Sequence, residues 1–161
     1  HSRAGTNTSP LAHTMTGSYM RVTLNGCDTS EFRLNTYSAA LFKVPVVFVS
    51  GDKGLCIEAS ELNSKIETLA VKEGIGNATI NIHPDLAIEK IQEGVTRALK
   101  GDLSGCLVSL PDYFKLDVQF KDQIKARKYS FYPTAKLKDP TTVSFEHKDY
   151  FEVLRFLLFA S

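Results

Sequence analysis

The feature that most constrains the fold is a continuous apolar run, VPVVFVSGD at residues 44–52, which ends in a turn. A run of this kind is typical of a strand that is buried on both faces. Asp52 is placed to cap a following helix over residues 53–63, and IETLAVKE then predicts a second strand. The next segment, HPDLAIEKIQEGVTRALKG, has apolar residues at helical spacing, with Pro84 in its first turn and Gly101 after its end. This alternation of strand and helix predicts an α/β layer with some parallel strand pairing.

The segment before this run predicts a β-hairpin followed by a helix. SYMRVTLNGCDTSEF carries Asn25-Gly26 between apolar-rich stretches, and both positions of such a turn need a positive φ. Ser30 stands where a helix N-cap is expected, and EFRLNTYSAALF follows with apolar residues at helical spacing. Glu31 is therefore expected in the first turn of a helix, directly after a tight hairpin.

The last third of the chain shows a different pattern. KLDVQF predicts a strand, KDQIKARKY a polar helix or loop, TTVSFEH a half-exposed strand and KDYFEVLRFLLFA an amphipathic helix. The predicted fold class is therefore α/β: a partly parallel sheet flanked by helices, with a smaller α+β region at the C-terminal end.

Composition and charge exclude several classes of function. A hydrophobic content of 43% supports a packed core, and 19 Lys plus Arg against 18 Asp plus Glu give no electrostatic case for nucleic acid or an anionic membrane. No apolar run approaches the roughly 20 residues that a membrane span needs. Cys27, Cys56 and Cys106 are few, odd in number and widely spaced. They predict a reduced, cytoplasmic setting with the thiols buried as small hydrophobes.

Two of the four histidines lie in a polar opening stretch, HSRAGTNTSPLAHTMTG. A histidine in a polar loop is ordinarily solvated, and His83 and His147 are expected to be structural, at a helix start and a strand end. His1, His13 and Glu31 form a different kind of set, because imidazole and carboxylate are ordinary ligands of a catalytic zinc. A histidine that is not a ligand can serve as a general acid or base, or stabilise a tetrahedral intermediate.

The same segments resemble the D-aminopeptidase family of zinc metallopeptidases associated with bacterial dipeptide transport. HSRAG followed by LAHTMTG is similar to the family's loop, in which a zinc-binding histidine precedes a second active-site histidine. SEFRLNTYSAALFKVPVVFVSGD resembles its metal-binding glutamate helix and the strand that follows. LAVKEGIG and TTVSFEHKDYFEVLRFLLF also fit, so the resemblance runs over essentially all 161 residues.

The resemblance implies a role for individual residues. His1 corresponds to a zinc-ligand histidine, Glu31 to the carboxylate that binds the second zinc, and His13 to the catalytic histidine beside the metals. Supporting roles are implied for Arg3, Asn35 and Lys72. The implied activity is that of an aminopeptidase or amidohydrolase that releases N-terminal, including D-, amino acids from small peptides or amides by metal-activated water, with two zinc ions per complete site.

The family pattern also includes an Asp-x-Glu-Gly segment that bridges the metals and a further ligand histidine, which this sequence does not contain. We therefore expect this chain to be the C-terminal portion of a two-lobed protein, active only with a preceding lobe that carries Asp-x-Glu. Within it we assign an active-site loop and glutamate helix (1–43), an α/β region (44–101) and an α+β closing region (102–161). We expect that a neighbouring segment holds His1 in place, that the chain alone binds zinc weakly, and that the protein forms a ring-like homo-oligomer, by resemblance up to a decamer.

Two other interpretations stay open from the sequence. A non-catalytic assembly subunit could keep the same fold without the chemistry, and the missing Asp-x-Glu segment favours that alternative. A free N-terminal histidine could instead chelate copper together with a second histidine, as in secreted polysaccharide monooxygenases, although those proteins resemble disulfide-bonded β-sandwiches.

Overall fold

The protein is described by a computed structural model that covers residues 1–161. In chain order the elements are β1 (Tyr19–Leu24), β2 (Cys27–Asp28), α1 (Glu31–Leu41), β3 (Phe48–Asp52), α2 (Lys53–Leu62), β4 (Glu67–Ile75), β5 (Ala78–Asn81), α3 (Pro84–Lys100), β6 (Phe114–Phe120), α4 (Gln123–Tyr129), β7 (Lys136–Leu137), β8 (Thr142–His147) and α5 (Tyr150–Ala160). A short 3-10 helix spans Ser104–Cys106. None of the five α-helices is both long and apolar enough to cross a lipid bilayer.

The chain forms two compact units that are discontinuous in sequence. The first unit comprises residues 1–2, 6–12 and 32–110, and the second comprises residues 3–5, 13–31 and 111–161. Strand pairing explains the discontinuity of the second unit, because β1 pairs antiparallel with β6 almost a hundred residues later. The predicted region 1–43 is therefore shared between the two units.

The first unit is built on a three-stranded sheet in the order β3-β4-β5. β3 and β4 are parallel, as the alternation of strand and helix predicts, and α2 and α3 both contact them. Asp52 caps α2 by accepting a hydrogen bond from Leu55 N, and α3 begins at Pro84 and ends before Gly101. The predicted strand–helix–strand–helix order is therefore confirmed in this unit.

Two details of this sheet differ from the sequence prediction. The run 44–52 forms a strand only from Phe48, its residues before Asp52 are half-buried or exposed, and Val44 is 55% exposed. The prediction of burial on both faces is wrong because β3 is an edge strand that pairs with β4 alone. The antiparallel strand β5, joined to β4 by a turn with Gly76 at φ 58°, was not predicted.

The second unit is an antiparallel sheet in the order β2-β1-β6-β8-β7. Its predicted hairpin is confirmed, with Asn25 at φ 51° and Gly26 at φ 80°. The helices α4 and α5 contact β6 and β8, and the buried side chains between them include Leu116, Val118 and Phe156. This unit is the α+β region that the last third of the sequence predicts, extended by the N-terminal hairpin.

The strand β8 is more buried than its alternating sequence suggests. Its first four residues, Thr142 to Phe145, are all buried, so the prediction of a half-exposed strand is wrong. The physical reason is its place in the sheet, because β6 and β7 pair with its two edges and α4 and α5 also contact it. The short strand β7 comes from a segment that the sequence analysis treats as a turn.

The cysteines are all free, but they differ in exposure. Cys56 and Cys106 are buried, as predicted, whereas Cys27 is exposed. The prediction is wrong for Cys27 because this residue directly follows the hairpin turn, in a two-residue strand at the edge of its sheet. Burial raises the pKa of the Cys56 and Cys106 thiols, which lowers the fraction present as reactive thiolate.

We expect a maleimide reagent to modify Cys27 at least tenfold faster than Cys56 or Cys106 in the folded protein. Cys27 is exposed, whereas the other two thiols are shielded by burial, which also raises their pKa. Peptide mass spectrometry after timed labelling measures each site, and the denatured chain, in which all three thiols should react alike, is the control. Similar rates at the three sites in the folded protein would contradict the burial of Cys56 and Cys106.

Candidate functional site

The opening stretch of the chain is anchored in the first unit by a buried carboxylate. Ser2 and Asp52 are each only 2% exposed. Ser2 N donates to Asp52 Oδ2 at 2.7 Å, and the Ser2 hydroxyl donates to Asp52 Oδ1. Thr8 Oγ1 in turn donates to Ser2 Oγ at 2.9 Å. Residue 2 is therefore fixed through both its backbone and its side chain.

Asp52 is held in its charged form by the same contacts. Burial pushes the pKa of this carboxyl upward, but hydrogen bonds from the Ser2 hydroxyl, Leu55 N and Ser2 N outweigh burial, and the pKa lies below its ordinary value. An ionised carboxylate accepts hydrogen bonds at both oxygens, and charge-assisted bonds of this kind are stronger than neutral ones. The anchor therefore consists of a buried anion that receives three donors.

A second anchor lies in the second unit and uses a buried hydroxyl. Thr14 is fully buried; its Oγ1 accepts from Ala4 N at 3.1 Å and donates to Thr29 O at 3.0 Å. The hydroxyl thus bridges the backbone of residue 4 to the end of the hairpin, just before α1. His13, the neighbour of Thr14 in the sequence, is positioned by this bridge.

His13 and Glu31 lie side by side in the second unit. Glu31 is the first residue of α1, as predicted, and its Oε1 accepts a hydrogen bond from Met15 N at 2.7 Å. His13 Nε2 lies 3.6 Å from the same oxygen. Both side chains are about one-third exposed, so a ligand or metal ion can reach them.

Of the three residues that the sequence singles out for metal chemistry, His13 and Glu31 lie together in the second unit, and His1 lies in the first unit. His1 Nδ1 is 3.0 Å from Ser2 O, and because a carbonyl only accepts, Nδ1 must carry the proton in this contact. That tautomer presents the lone pair of Nε2, the usual arrangement of a metal-binding imidazole.

The chemistry of these residue types fits zinc. Imidazole and carboxylate are ordinary ligands of a catalytic zinc, which keeps a further position open for water or substrate. The partial exposure of His13 and Glu31 is compatible with such an open position. Glu31 is the one carboxylate among the three residues, whereas a site for two ions would need further carboxylates.

The residues to which the resemblance gives supporting roles lie differently. The guanidinium of Arg3 pairs with Asp28 at 2.9 Å and donates to Ala4 O, so it ties the loop to β2. Asn35 is exposed one helical turn after Glu31 in α1, and Lys72 is exposed in β4. Arg3 thus stabilises the loop, and Asn35, four residues after Glu31 in α1, lies on the same face of that helix.

The other two histidines have local backbone roles, as predicted. His83 Nδ1 accepts from Asp85 N at the start of α3, and His147 Nδ1 accepts from Asp149 N after β8. Neither is among the three candidate metal-site residues.

The anchoring role of three residues is not predicted from the sequence. Asp52 is predicted only as a helix cap, and neither Ser2 nor Thr14 is singled out. No local pattern reveals these contacts, because Ser2 and Asp52 are separated by 50 residues and Thr14 contacts residues 10 and 15 positions away. A serine or threonine in a polar loop gives no signal of burial.

The fold and the pair of His13 and Glu31 together define a candidate zinc-binding α/β protein. The chain belongs to the D-aminopeptidase family, peptidase family M55, whose profile matches residues 1–159. The family resemblance and the predicted α/β fold class are therefore confirmed.

Two relatives show how much of a family member the chain represents. It is 29% identical over 160 residues to a D-aminopeptidase of Bacillus subtilis (strain 168), covering 98% of this chain and 58% of the relative. A solved structure, the Zn-dependent D-aminopeptidase DppA from Bacillus subtilis, described as a self-compartmentalizing protease, matches with a TM-score of 0.91 and 29% identity. That match covers 99% of this chain and 59% of DppA. The chain thus spans less than two thirds of either relative.

The residue that positions Glu31 has an unfavourable backbone conformation. Met15 has φ 62°, in the left-handed region where a Cβ is disfavoured, and its N–H binds Glu31 Oε1. Such outliers concentrate at sites where the surrounding structure enforces them. The strain at Met15 therefore accompanies the placement of the candidate metal ligand.

We expect Met15→Gly to leave the free energy of unfolding unchanged or to raise it by up to about 1 kcal/mol, because glycine adopts a positive φ readily and keeps the N–H. Met20→Gly is the matched control, since Met20 is 47% exposed against 48% for Met15 but is not at positive φ. There glycine should lower stability by about 0.5–1 kcal/mol. Urea unfolding compares both variants with the parent, and an equal loss at Met15 would contradict the strain.

Proposed function

We propose that this chain carries part of the active site of a zinc-dependent aminopeptidase. The observation that carries the proposal is the pair of His13 and Glu31 in the second unit, whose Nε2 and Oε1 atoms lie 3.6 Å apart. Imidazole and carboxylate are ordinary zinc ligands, and we propose His1 as the further imidazole. Membership of the D-aminopeptidase family and the Zn-dependent relative DppA support the same reading.

In this proposal His1 and Glu31 hold the metal. His1 offers Nε2, because its Nδ1–H donates to Ser2 O, and Glu31 is oriented by Met15 N through Oε1. When bound, zinc polarises a substrate carbonyl and lowers the pKa of a water molecule so that it becomes a nucleophile near neutral pH. The residues of this chain then have to hold the ligands in place and move a proton.

His13 is assigned the proton-transfer role. Its Nε2 lies 3.6 Å from Glu31 Oε1, and about one-third of its side chain is exposed, so a substrate group can reach it. From there the imidazole can accept a proton from the attacking water or donate one to the leaving amine. It can also stabilise negative charge that develops on a carbonyl oxygen.

The substrate class follows from the relatives and is part of the proposal. Both relatives carry the name D-aminopeptidase, so we propose small peptides or amides with an N-terminal D-amino acid. We also propose a second zinc ion per complete site and a preceding lobe with the Asp-x-Glu segment, because Glu31 is the one carboxylate among the proposed site residues and a two-metal site needs more.

Alanine variants of the three proposed site residues test the roles. His1→Ala and Glu31→Ala should lower zinc content and turnover together, because each removes a ligand. His13→Ala should leave zinc content nearly intact and cut turnover by about 100-fold or more, the usual scale for an acid–base or oxyanion group. Zinc content by atomic spectroscopy and hydrolysis of D-amino acid amides are measured on the protein assembled with its preceding lobe.

His83→Ala is the matched control, since this imidazole accepts from Asp85 N outside the proposed site and should change neither zinc content nor turnover. Equal loss of zinc in all three site variants would contradict the separate role of His13. A parent protein that holds no zinc would overturn the proposal and favour the non-catalytic assembly subunit.

The proposal extends to a homo-oligomer. Large apolar side chains are exposed in both units, and in the first unit they include Phe42 at 79%, Ile75 at 62% and Ile80 at 65%. Exposed apolar surface of this kind is typical of an interaction face, and DppA is described as self-compartmentalizing.

We therefore expect the native protein to have a molar mass well above the 17.8 kDa of this chain. Size-exclusion chromatography with light scattering measures the mass, and a denaturing gel shows whether a second segment is present. Ile80→Lys should reduce the assembly, whereas Ile124→Lys, a comparably exposed isoleucine of the second unit, is the control. A stable 17.8 kDa monomer without a partner segment would contradict the oligomer and the lobe.

A further inference from the structure

We propose that Asp52 is a positioning residue that fixes the orientation of His1 through Ser2. The inference rests on the proposed function for the role of His1 as a zinc ligand. The contacts that support it, among residues 1, 2, 8 and 52–55, all lie within the first unit. Asp52 touches neither substrate nor metal in this proposal; it acts through the residue next to the ligand.

Ser2 connects the buried carboxylate to the imidazole. Its N–H and its hydroxyl donate to the two oxygens of Asp52, which fixes both the position and the rotation of the residue. Its carbonyl oxygen accepts a hydrogen bond from His1 Nδ1 at 3.0 Å. The carboxylate therefore orients residue 2 through its N–H and hydroxyl, and the carbonyl of residue 2 orients the ring and the tautomer of His1.

Asp52 is itself held by regular structure. It is the last residue of β3, in register with Lys72 of β4, and it caps α2 by accepting from Leu55 N at 2.9 Å. A residue fixed by both a strand and a helix start is a rigid support. A metal ligand needs such support, because binding geometry has to be kept to within about 0.5 Å.

The first turn of α2 leaves room for the anchor only because residue 54 is glycine. A Cβ at Gly54 would collide with the Ser2 hydroxyl and would lie 2.6 Å from Thr8 Oγ1. Gly54 has no positive φ that would require glycine. The close approach of the loop to this turn is thus a second, independent indication that residue 2 is seated against α2.

Two substitutions at Asp52 separate the anchor from the helix cap. Asp52→Ser keeps a side-chain oxygen that can cap α2 but is too short to reach both donors of Ser2. Asp52→Asn keeps the size but turns one acceptor into a donor that faces a donor of Ser2. Asp122→Ser and Asp122→Asn are the matched controls, because Asp122 caps α4 by accepting from Lys125 N.

Zinc binding is measured at each histidine. Zinc chloride is titrated into the protein labelled with ¹⁵N-histidine and assembled with its preceding lobe, and the ring signals of His1 and His13 are followed separately. We expect both Asp52 variants to weaken the zinc response of His1 by about 10- to 100-fold, the usual effect of removing an outer partner of a metal ligand. The Asp122 variants should bind zinc like the parent.

A zinc-free measurement tests the anchor independently of the proposed function. In the apo protein, exchange of the Ser2 amide hydrogen should be at least tenfold faster in Asp52→Ser than in the parent, and unchanged in Asp122→Ser. Ser2→Ala removes only the hydroxyl contact, so it provides a milder variant if Asp52→Ser does not fold. It should show a smaller increase in exchange.

The outcomes distinguish the two proposals. Parent-like zinc binding by His1 in both Asp52 variants overturns the positioning role while the proposed function stands. Absence of any zinc response in the parent overturns the proposed function, and amide exchange then decides the anchor alone. Unchanged Ser2 exchange in Asp52→Ser and Ser2→Ala overturns the anchor itself.

Discussion

A polar loop can be held only by hydrogen bonds, and in this protein a buried carboxylate provides them. The stretch that carries His1 and His13 is rich in Ser, Thr, Gly and Asn, so it has little apolar surface to bury. Asp52 compensates by accepting from Ser2 and from Leu55. Burial of an unpaired charge would be costly, so the carboxylate and the loop depend on each other.

The Asp52 anchor is a support for the opening loop that was not predicted from the sequence. From the sequence, we expect a neighbouring segment to hold His1. The structure shows that the chain's own Asp52 fixes the adjacent residue, and Thr14 fixes Ala4 in the second unit. These contacts are a support within the chain itself, and the support that a preceding lobe is expected to give His1 stays a prediction.

Most of the helices and the hairpin could be predicted because their signals are local. Asn25-Gly26 specifies its turn, Asp52 and Pro84 mark helix starts, and each signal lies within a few residues of the element it defines. The errors concern neighbours in the sheets. β3 is more exposed and β8 more buried than their sequences suggest, because strand order decides burial and strand order depends on pairing between distant segments.

The candidate site likewise contains residues that could be predicted from local signals and residues that could not. His1, His13 and Glu31 could be named from the sequence because their residue types have metal chemistry and a family resemblance gave them positions. Their supports could not be named, because Ser2 and Thr14 are ordinary polar residues whose burial arises from tertiary contacts.

Met15 is a residue whose local sequence preference is not followed in the structure. Its positive φ contradicts the local preference of methionine, yet its N–H orients Glu31. Local sequence rules are expected to fail where a site imposes its own geometry. Residues that break a local rule beside a candidate ligand are therefore where the structure adds most to the sequence.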